Sequence, residues 1–141
     1  MSDVTTHAQS SMFVFPVRVY VEDTDFGGIV YHSVFLNYME RCRTEWLNSV
    51  NLDILQIGND GCFFVVRRIE IDYTKPAKLN EKLEVTAQVV QLGRSSLSFF
   101  QTVRSIADPT IIYCSATVNL VTVNGNLRPI RIPQIVVEKF L

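Results

Sequence analysis

The chain has 141 residues, 48% of them hydrophobic and 19% charged, with a formal net charge of −1. That composition excludes a disordered chain and provides enough material for one core. Residues 1–60 carry three basic and eight acidic side chains and residues 61–141 carry ten basic and six acidic. This asymmetry is too weak for duplex nucleic acid but suits a ligand with a few phosphates.

The opening MSDVTTHAQSS lacks the basic and apolar parts of a secretory signal, and residues 1–11 are expected to form a loose tail ahead of a single domain at 12–141. No apolar run is long enough to cross a membrane. Residues 13–22, FVFPVRVYVE, alternate with Phe13, Phe15, Val17, Val19 and Val21 on one face, which predicts a strand. Pro16 places it at a sheet edge or a bulge. Residues 33–50 switch to helical spacing, with Phe35, Met39, Cys42 and Trp46 in one stripe, Tyr38 beside them and Ser33 as N-cap. A short helical turn is expected within 52–58.

Four strand-like runs follow, at 63–73, 82–91, 95–105 and 110–123, separated by the turn-forming stretches KPAKLN, LGR and ADP, with VNGN after the last. On the first run Arg67 is expected to share a face with Val65, Ile69 and Ile71. PQIVVEKF near the end reads as a terminal helix capped by Pro133. One strand, one long helix and four strands predict an α+β fold with a single helix packed on a five-stranded antiparallel sheet. Its open edges call for protection, often by pairing into an oligomer. Cys42, Cys62 and Cys114 are odd in number and contain no CxxC pair. They are expected to be free, buried thiols suited to a reducing cytoplasm rather than a disulfide framework or zinc site.

The chemistry concentrates in 22-EDTDFGGIVYHSVF-35. A helix start presents unpaired N–H groups and a positive dipole end. Gly27-Gly28 lets the backbone turn sharply and a ligand approach closely. Such N–H groups can hold the oxyanion of an acyl transfer, each worth about 3–4 kcal/mol when well placed. A carboxylate just upstream can serve as general base or nucleophile. Asp25 competes with a plain capping or loop role, and Asp23 reads as structural. No G-x-S-x-G elbow, HExxH, P-loop or GxGxxG is present, and Val34 stands where a calcium loop starting at Asp23 needs glutamate. Glu40 is expected to pair with Arg41 or Arg43. Trp46 and Phe99-Phe100 are expected in the core or an interface.

The run VRVYVEDTDFGGIVYHSVFLNYMERCRTEWL resembles the hotdog thioesterases of the 4-hydroxybenzoyl-CoA thioesterase-like family, and most nearly the Tol-Pal system-associated acyl-CoA thioesterase branch. The resemblance extends through FFVVRRIEIDYTKPAKLNEKLEV, GRSSLSFFQ and LRPIRIPQIVVEKF, over residues 13–141. It implies a hotdog fold, in which a curved sheet wraps the long helix, and hydrolysis of acyl-CoA to free acid and CoA. Asp25 then corresponds to the catalytic aspartate, and the His32 N–H to the donor that polarises the thioester carbonyl. The His32 side chain is implied to orient substrate or water, and Arg94, Ser95 and Ser96 to meet CoA phosphates at a subunit interface. Gly28, Val30, Tyr31 and Arg67 complete the expected substrate-binding set. No metal or redox cofactor is expected, and a homo-oligomer, dimer or tetramer, is. Three rivals stay open: an aroyl-CoA thioesterase, a module that holds acyl-CoA or acyl carrier protein without turnover, and a hydratase or dehydratase.

Overall fold

The computed structural model describes residues 11–140; of the expected tail only Ser11 falls among them. The alternating runs pair as one antiparallel sheet in the order β1-β3-β4-β5-β2. Its strands are β1 (Phe13–Arg18), β2 (Phe63–Tyr73), β3 (Lys82–Leu92), β4 (Ser96–Ser105) and β5 (Ile112–Val123). Between β1 and β2 come α1 (Val34–Ser49) and α2 (Ile54–Asn59), and α3 (Gln134–Val137) follows β5.

The α1 stripe is buried as expected: Phe35, Tyr38, Met39, Cys42 and Trp46 all enter the core. They pack on β1, β3 and β4, against Leu83, Val85, Ala87 and Val103 among others. Ser33 does occupy the N-cap position, but it has helical backbone angles and its hydroxyl does not cap. Its carbonyl instead accepts the Leu36 N–H at 3.1 Å. Asp53 is the side chain that does cap, accepting the Leu55 N–H at the start of α2 at 2.9 Å. Beyond β5 the chain returns over the end of α1, where Phe140 stacks on Trp46 at 4.8 Å between ring centroids. Phe99 meets both rings edge-on. Phe100, the next residue, points the other way and is exposed.

Two expectations about strands need correcting. The first strand stops at Arg18, four residues early. Residues Val21–Asp23 wind into a 3-10 turn, so Val21 is 73% exposed instead of joining the apolar face. On β2 the pairing with β5 slips between Val66 and Arg68, a bulge that adds one residue and reverses the side-chain parity beyond it. Arg67 is that extra residue. It does not share the helix-facing side with Ile69 and Ile71. Its Nε donates at 2.8 Å to Asn119 Oδ1, which sits between the buried Val118 and Leu120 and therefore faces away from the helix. Pro16 does sit at an edge, since β1 pairs with β3 alone.

All three cysteines are free and buried. Burial pushes the thiols of Cys42 and Cys114 from an ordinary 9.0 up to about 12. The folded state therefore holds these protons more tightly than the unfolded chain. The associated stability is fully present below pH 9.0 and is lost as pH rises toward about 12. Urea unfolding across that window should show falling stability, while a thiol reagent at pH 8 should label the three cysteines only in urea.

Candidate active site

The stretch that begins at Asp23 is a tight hairpin. Thr24 and Val30 face each other as a bridge pair. The Asp25 N–H donates to the Ile29 carbonyl at 2.9 Å, and the Gly28 N–H to the Asp25 carbonyl at 3.1 Å. Gly28 has φ +78°, a conformation that costs a residue with a side chain about 1–2 kcal/mol. The hairpin is anchored to the segment before β3, where Ile29 bridges Lys78 and the Val30 N–H donates to the Ala77 carbonyl at 2.9 Å.

The two aspartates have opposite surroundings. Asp23 is buried, and its Oδ2 accepts from the Tyr38 hydroxyl at 2.8 Å and from the Tyr20 N–H at 2.9 Å. Burial, and then the Asp23 carboxylate beside it, hold the Tyr38 phenol well above its ordinary pKa, so the hydroxyl stays a donor. Asp25 is exposed. Its Oδ1 accepts the Gly27 N–H at 2.8 Å, and among the described residues no donor meets its Oδ2. A Cβ on Gly27 would stand 3.3 Å from Asp25 Oδ1, close enough that the carboxylate would have to shift by a few tenths of an ångström.

The N–H groups ahead of α1 are not equivalent. The Tyr31 N–H is engaged by the Asp23 carbonyl at 3.0 Å and so is not open to an oxyanion. The His32 N–H meets no acceptor among the described residues. The His32 carbonyl accepts the Tyr73 hydroxyl at 2.8 Å, so β2 fixes the peptide on the other side. The exposed His32 ring packs on Tyr31 at 4.3 Å and edge-on to Tyr73 at 6.3 Å.

The other expected residues divide. Gly28 and Tyr31 are exposed on the hairpin and its exit. Val30 is only 4% exposed and belongs to the core, so its side chain does not line the open face. Arg67 is tied to Asn119, on the far side of the sheet from the helix. Arg94, Ser95 and Ser96 form the β3–β4 turn, held by Thr122 and Ile132 N–H groups donating to the Ser95 and Arg94 carbonyls at 2.9 Å.

That turn lies at the wrong end of the subunit to meet Asp25. The hairpin sits where β1, β2 and β4 finish and β3 and β5 begin, next to Arg18, Lys82 and Tyr73. Arg94 sits where Leu92 pairs with Leu97 and Phe63 with Val123. About ten strand residues separate these ends, about 30 Å.

Tyr38, Tyr73 and Gln101 were not foreseen. Gln101 is fully buried on the helix-facing side of β4, in register with Leu97, Phe99 and Val103. A glutamine interrupting that apolar alternation was the one readable signal. Its Oε1 accepts from Arg43 at 2.9 Å, and its Nε2 donates to the Met39 and Thr86 carbonyls. The expected Glu40 ion pair does not form among the described residues; Arg41 instead lies over the Tyr38 ring. No set of His, Cys, Asp and Glu side chains gathers as metal ligands among the described residues.

Residues 27–112 match the family model described as thioesterase superfamily. A Haemophilus influenzae protein named acyl-CoA thioesterase YbgC is 37% identical over 130 residues, covering 91% of this chain and 93% of the relative. An Escherichia coli acyl-CoA thioester hydrolase YbgC is 34% identical over 132 residues, covering 93% and 97%. Among solved structures, a Synechocystis 1,4-dihydroxy-2-naphthoyl-CoA thioesterase superposes with a TM-score of 0.86 at 20% identity, covering 92% of this chain and 96% of that one.

The pairing of Tyr38 with Asp23 carries a stability prediction. Tyr38→Phe leaves the buried carboxylate short of one donor and should lower unfolding free energy by about 1–3 kcal/mol. Urea denaturation checks this, with Tyr20→Phe, which removes an exposed hydroxyl, as a neutral control.

Proposed function

The chain belongs to the thioesterase superfamily with a hotdog fold, and from that premise we propose that Asp25 and the His32 N–H hydrolyse acyl-CoA thioesters at a site shared between two copies. The observation that carries this reading is the hairpin itself: an exposed carboxylate with an unengaged oxygen, followed by the unengaged His32 N–H at the entry to a helix.

The reaction is an acyl-CoA thioester hydrolysis. The thioester oxygen accepts from the His32 N–H, whose own peptide is held by the Val34 N–H donating to the Tyr31 carbonyl at 2.9 Å. Asp25 takes a proton from water as its oxygen adds to the carbonyl carbon. The C–S bond then breaks, CoA leaves as thiolate, and the proton returns through Asp25. In the nucleophilic alternative Asp25 Oδ2 attacks first, CoA departs, and water cleaves the resulting anhydride. The Gly27 N–H holds Oδ1 and leaves Oδ2 directed outward in either route.

Arg94 can contribute to the same thioester only from a second copy. The edge strands differ in a way that selects the contact. β1 has six residues and contains Pro16, whereas β2 has eleven and no proline. Pairing β2 with its own copy about a two-fold axis is antiparallel. It brings the Tyr73 end of one subunit beside the Phe63 end of the other, and so one hairpin beside the partner copy's β3–β4 turn. There Arg94, Ser95 and Ser96 meet the CoA phosphates. Acyl carrier protein presents a thioester of the same kind and is a second possible donor. Three buried thiols suit a reducing compartment, and we place the enzyme in the cytoplasm. The family branch supports a connection to the Tol-Pal system.

Free CoA release from a panel of acyl- and aroyl-CoAs tests the chemistry. Asp25→Asn should lower turnover about 100-fold or more, whereas no release by the wild type from any member would overturn the reading. The shared site has its own test. Asp25→Asn and Arg94→Ala, each impaired alone, should regain about a quarter of wild-type activity when unfolded together and refolded as a mixture, because half the dimers then hold one intact site. A mixture no more active than its parents would place the whole site in one subunit.

A further inference from the structure

A cavity opens between the C-terminal half of α1, the N-terminal half of β2 and the returning tail. It measures about 210 Å³. Its walls are Trp46, Leu47, Phe64, Phe99 and Phe140, and the polar members are Glu40, Arg43 and Thr44. The aromatic floor is rigid, since Trp46, Phe99 and Phe140 contact one another in stacked and edge-on pairs. Arg43 is the anomaly. Its guanidinium is largely withdrawn from water, and that burial lowers its pKa from the ordinary value, with the charge of Glu40 opposing. Yet no carboxylate lies within ion-pair distance of it among the described residues. One hydrogen bond, to the neutral Gln101 side chain at 2.9 Å, holds it. A half-buried cation with five donors and one neutral partner has donors to offer a ligand.

The place of this cavity matters. It lies at the Phe64–Val66 end of β2, the end that the β2–β2 pairing sets beside the other copy's hairpin. We propose that this cavity receives the acyl group of the thioester cleaved by the partner copy's hairpin, and that Arg43 and Glu40 select compact acyl groups with a hydroxyl at the far end. This rests on the shared-site reading above. Size sets the first limit: a cavity of about 150 Å³ holds benzene, so this one takes about eight heavy atoms. Charge sets the second. A hydroxyl can accept from Arg43 and donate to Glu40, whereas a terminal carboxylate would face Glu40. A plain methyl terminus leaves the Arg43 donors unanswered.

Trp46 is the one tryptophan of the chain and lies in the cavity wall, so its fluorescence reports occupancy directly. The experiment titrates wild-type protein with hexanoate, ω-hydroxyhexanoate and adipate, and measures kcat/KM for the three corresponding CoA thioesters and for hexadecanoyl-CoA. The hydroxy acid should perturb Trp46 at about 10- to 100-fold lower concentration than hexanoate, the size of one hydrogen bond to a charged group. The hydroxyacyl thioester should lead in kcat/KM by a similar factor over hexanoyl and adipoyl, with hexadecanoyl poorest. In Arg43→Lys, which keeps the charge but not the fork, the hydroxyl preference should shrink about tenfold. Because Arg43→Met leaves Gln101 short of a partner and is prone to misfold, the wild-type titration stands without it. Equal response to hexanoate and the hydroxy acid, or an unchanged preference in folded Arg43→Lys, overturns the selection. CoA release without any Trp46 response overturns the cavity assignment while leaving the hydrolysis intact. Absence of CoA release from every thioester fails the earlier reading instead.

Discussion

One α-helix cannot cover five strands. Neighbouring strands lie about 4.8 Å apart, so β1 and β2 are about 20 Å from each other across the sheet, while a helix with its side chains is about 10–12 Å wide. The α1 stripe is committed to the β1, β3 and β4 side. The β5–β2 side receives only partial cover, from Val136 and Phe140 at one end and from Phe35 against Tyr73 at the other. Val66 stays 43% exposed and Tyr73 46% exposed in consequence. The cavity, the bare β2 edge and the His32 contact with Tyr73 all lie where helical cover is missing.

The hairpin solves a different problem, which is how to keep one carboxylate available while fixing the backbone around it. Asp23 and Asp25 are two residues apart, but the turn at Val21–Asp23 directs the first inward. There Tyr38, itself fully buried in the helix stripe, meets it. A movement of α1 would therefore reach the hairpin through one hydrogen bond. Asp23 also holds the Tyr31 N–H through its carbonyl, so the unengaged N–H groups at the mouth of the helix begin at His32. In the proposed reaction, donors already in place would need no reorganisation as charge develops on the thioester oxygen. Asp23 thus acts on the site by holding it, and Asp25 by facing outward from it.

The fold was legible because its signals are local and repeated. The α1 stripe from Phe35 to Trp46 and the alternation of Leu83, Val85, Ala87 and Val89 each occur within one element, and burial follows them. An exposed carboxylate ahead of a helix start could be read from the EDTDFGG run, whereas the part assigned to the His32 N–H came from the family resemblance. The rest depends on pairings between distant segments. Nothing in residues 63–73 announces a bulge, and one inserted residue was enough to send Arg67 to the opposite face. Nothing near Val30 shows that its carbon atoms fill the core while its N–H serves Ala77. The expected salt bridge of Glu40 failed for a related reason: Arg43 found Gln101, 58 residues away, and a buried glutamine amide cannot be foreseen from helical spacing.

The separation of Asp25 from Arg94 links these points. In a monomer it looks like a defect, since the carboxylate and the turn proposed to meet the phosphates stand at opposite ends of strands ten to twelve residues long. The proposed two-fold pairing of β2 would remove the defect, and the same contact would protect the longer edge and cover apolar surface that α1 cannot reach. In the proposed dimer one interface would meet the demands of edge protection, core burial and catalysis. None of these demands involves the outer face of the sheet, where Phe100 is 40% exposed beside polar Thr102 and Ser98. A tetramer built on that face would add stability, but the chemistry would already be complete in each dimer.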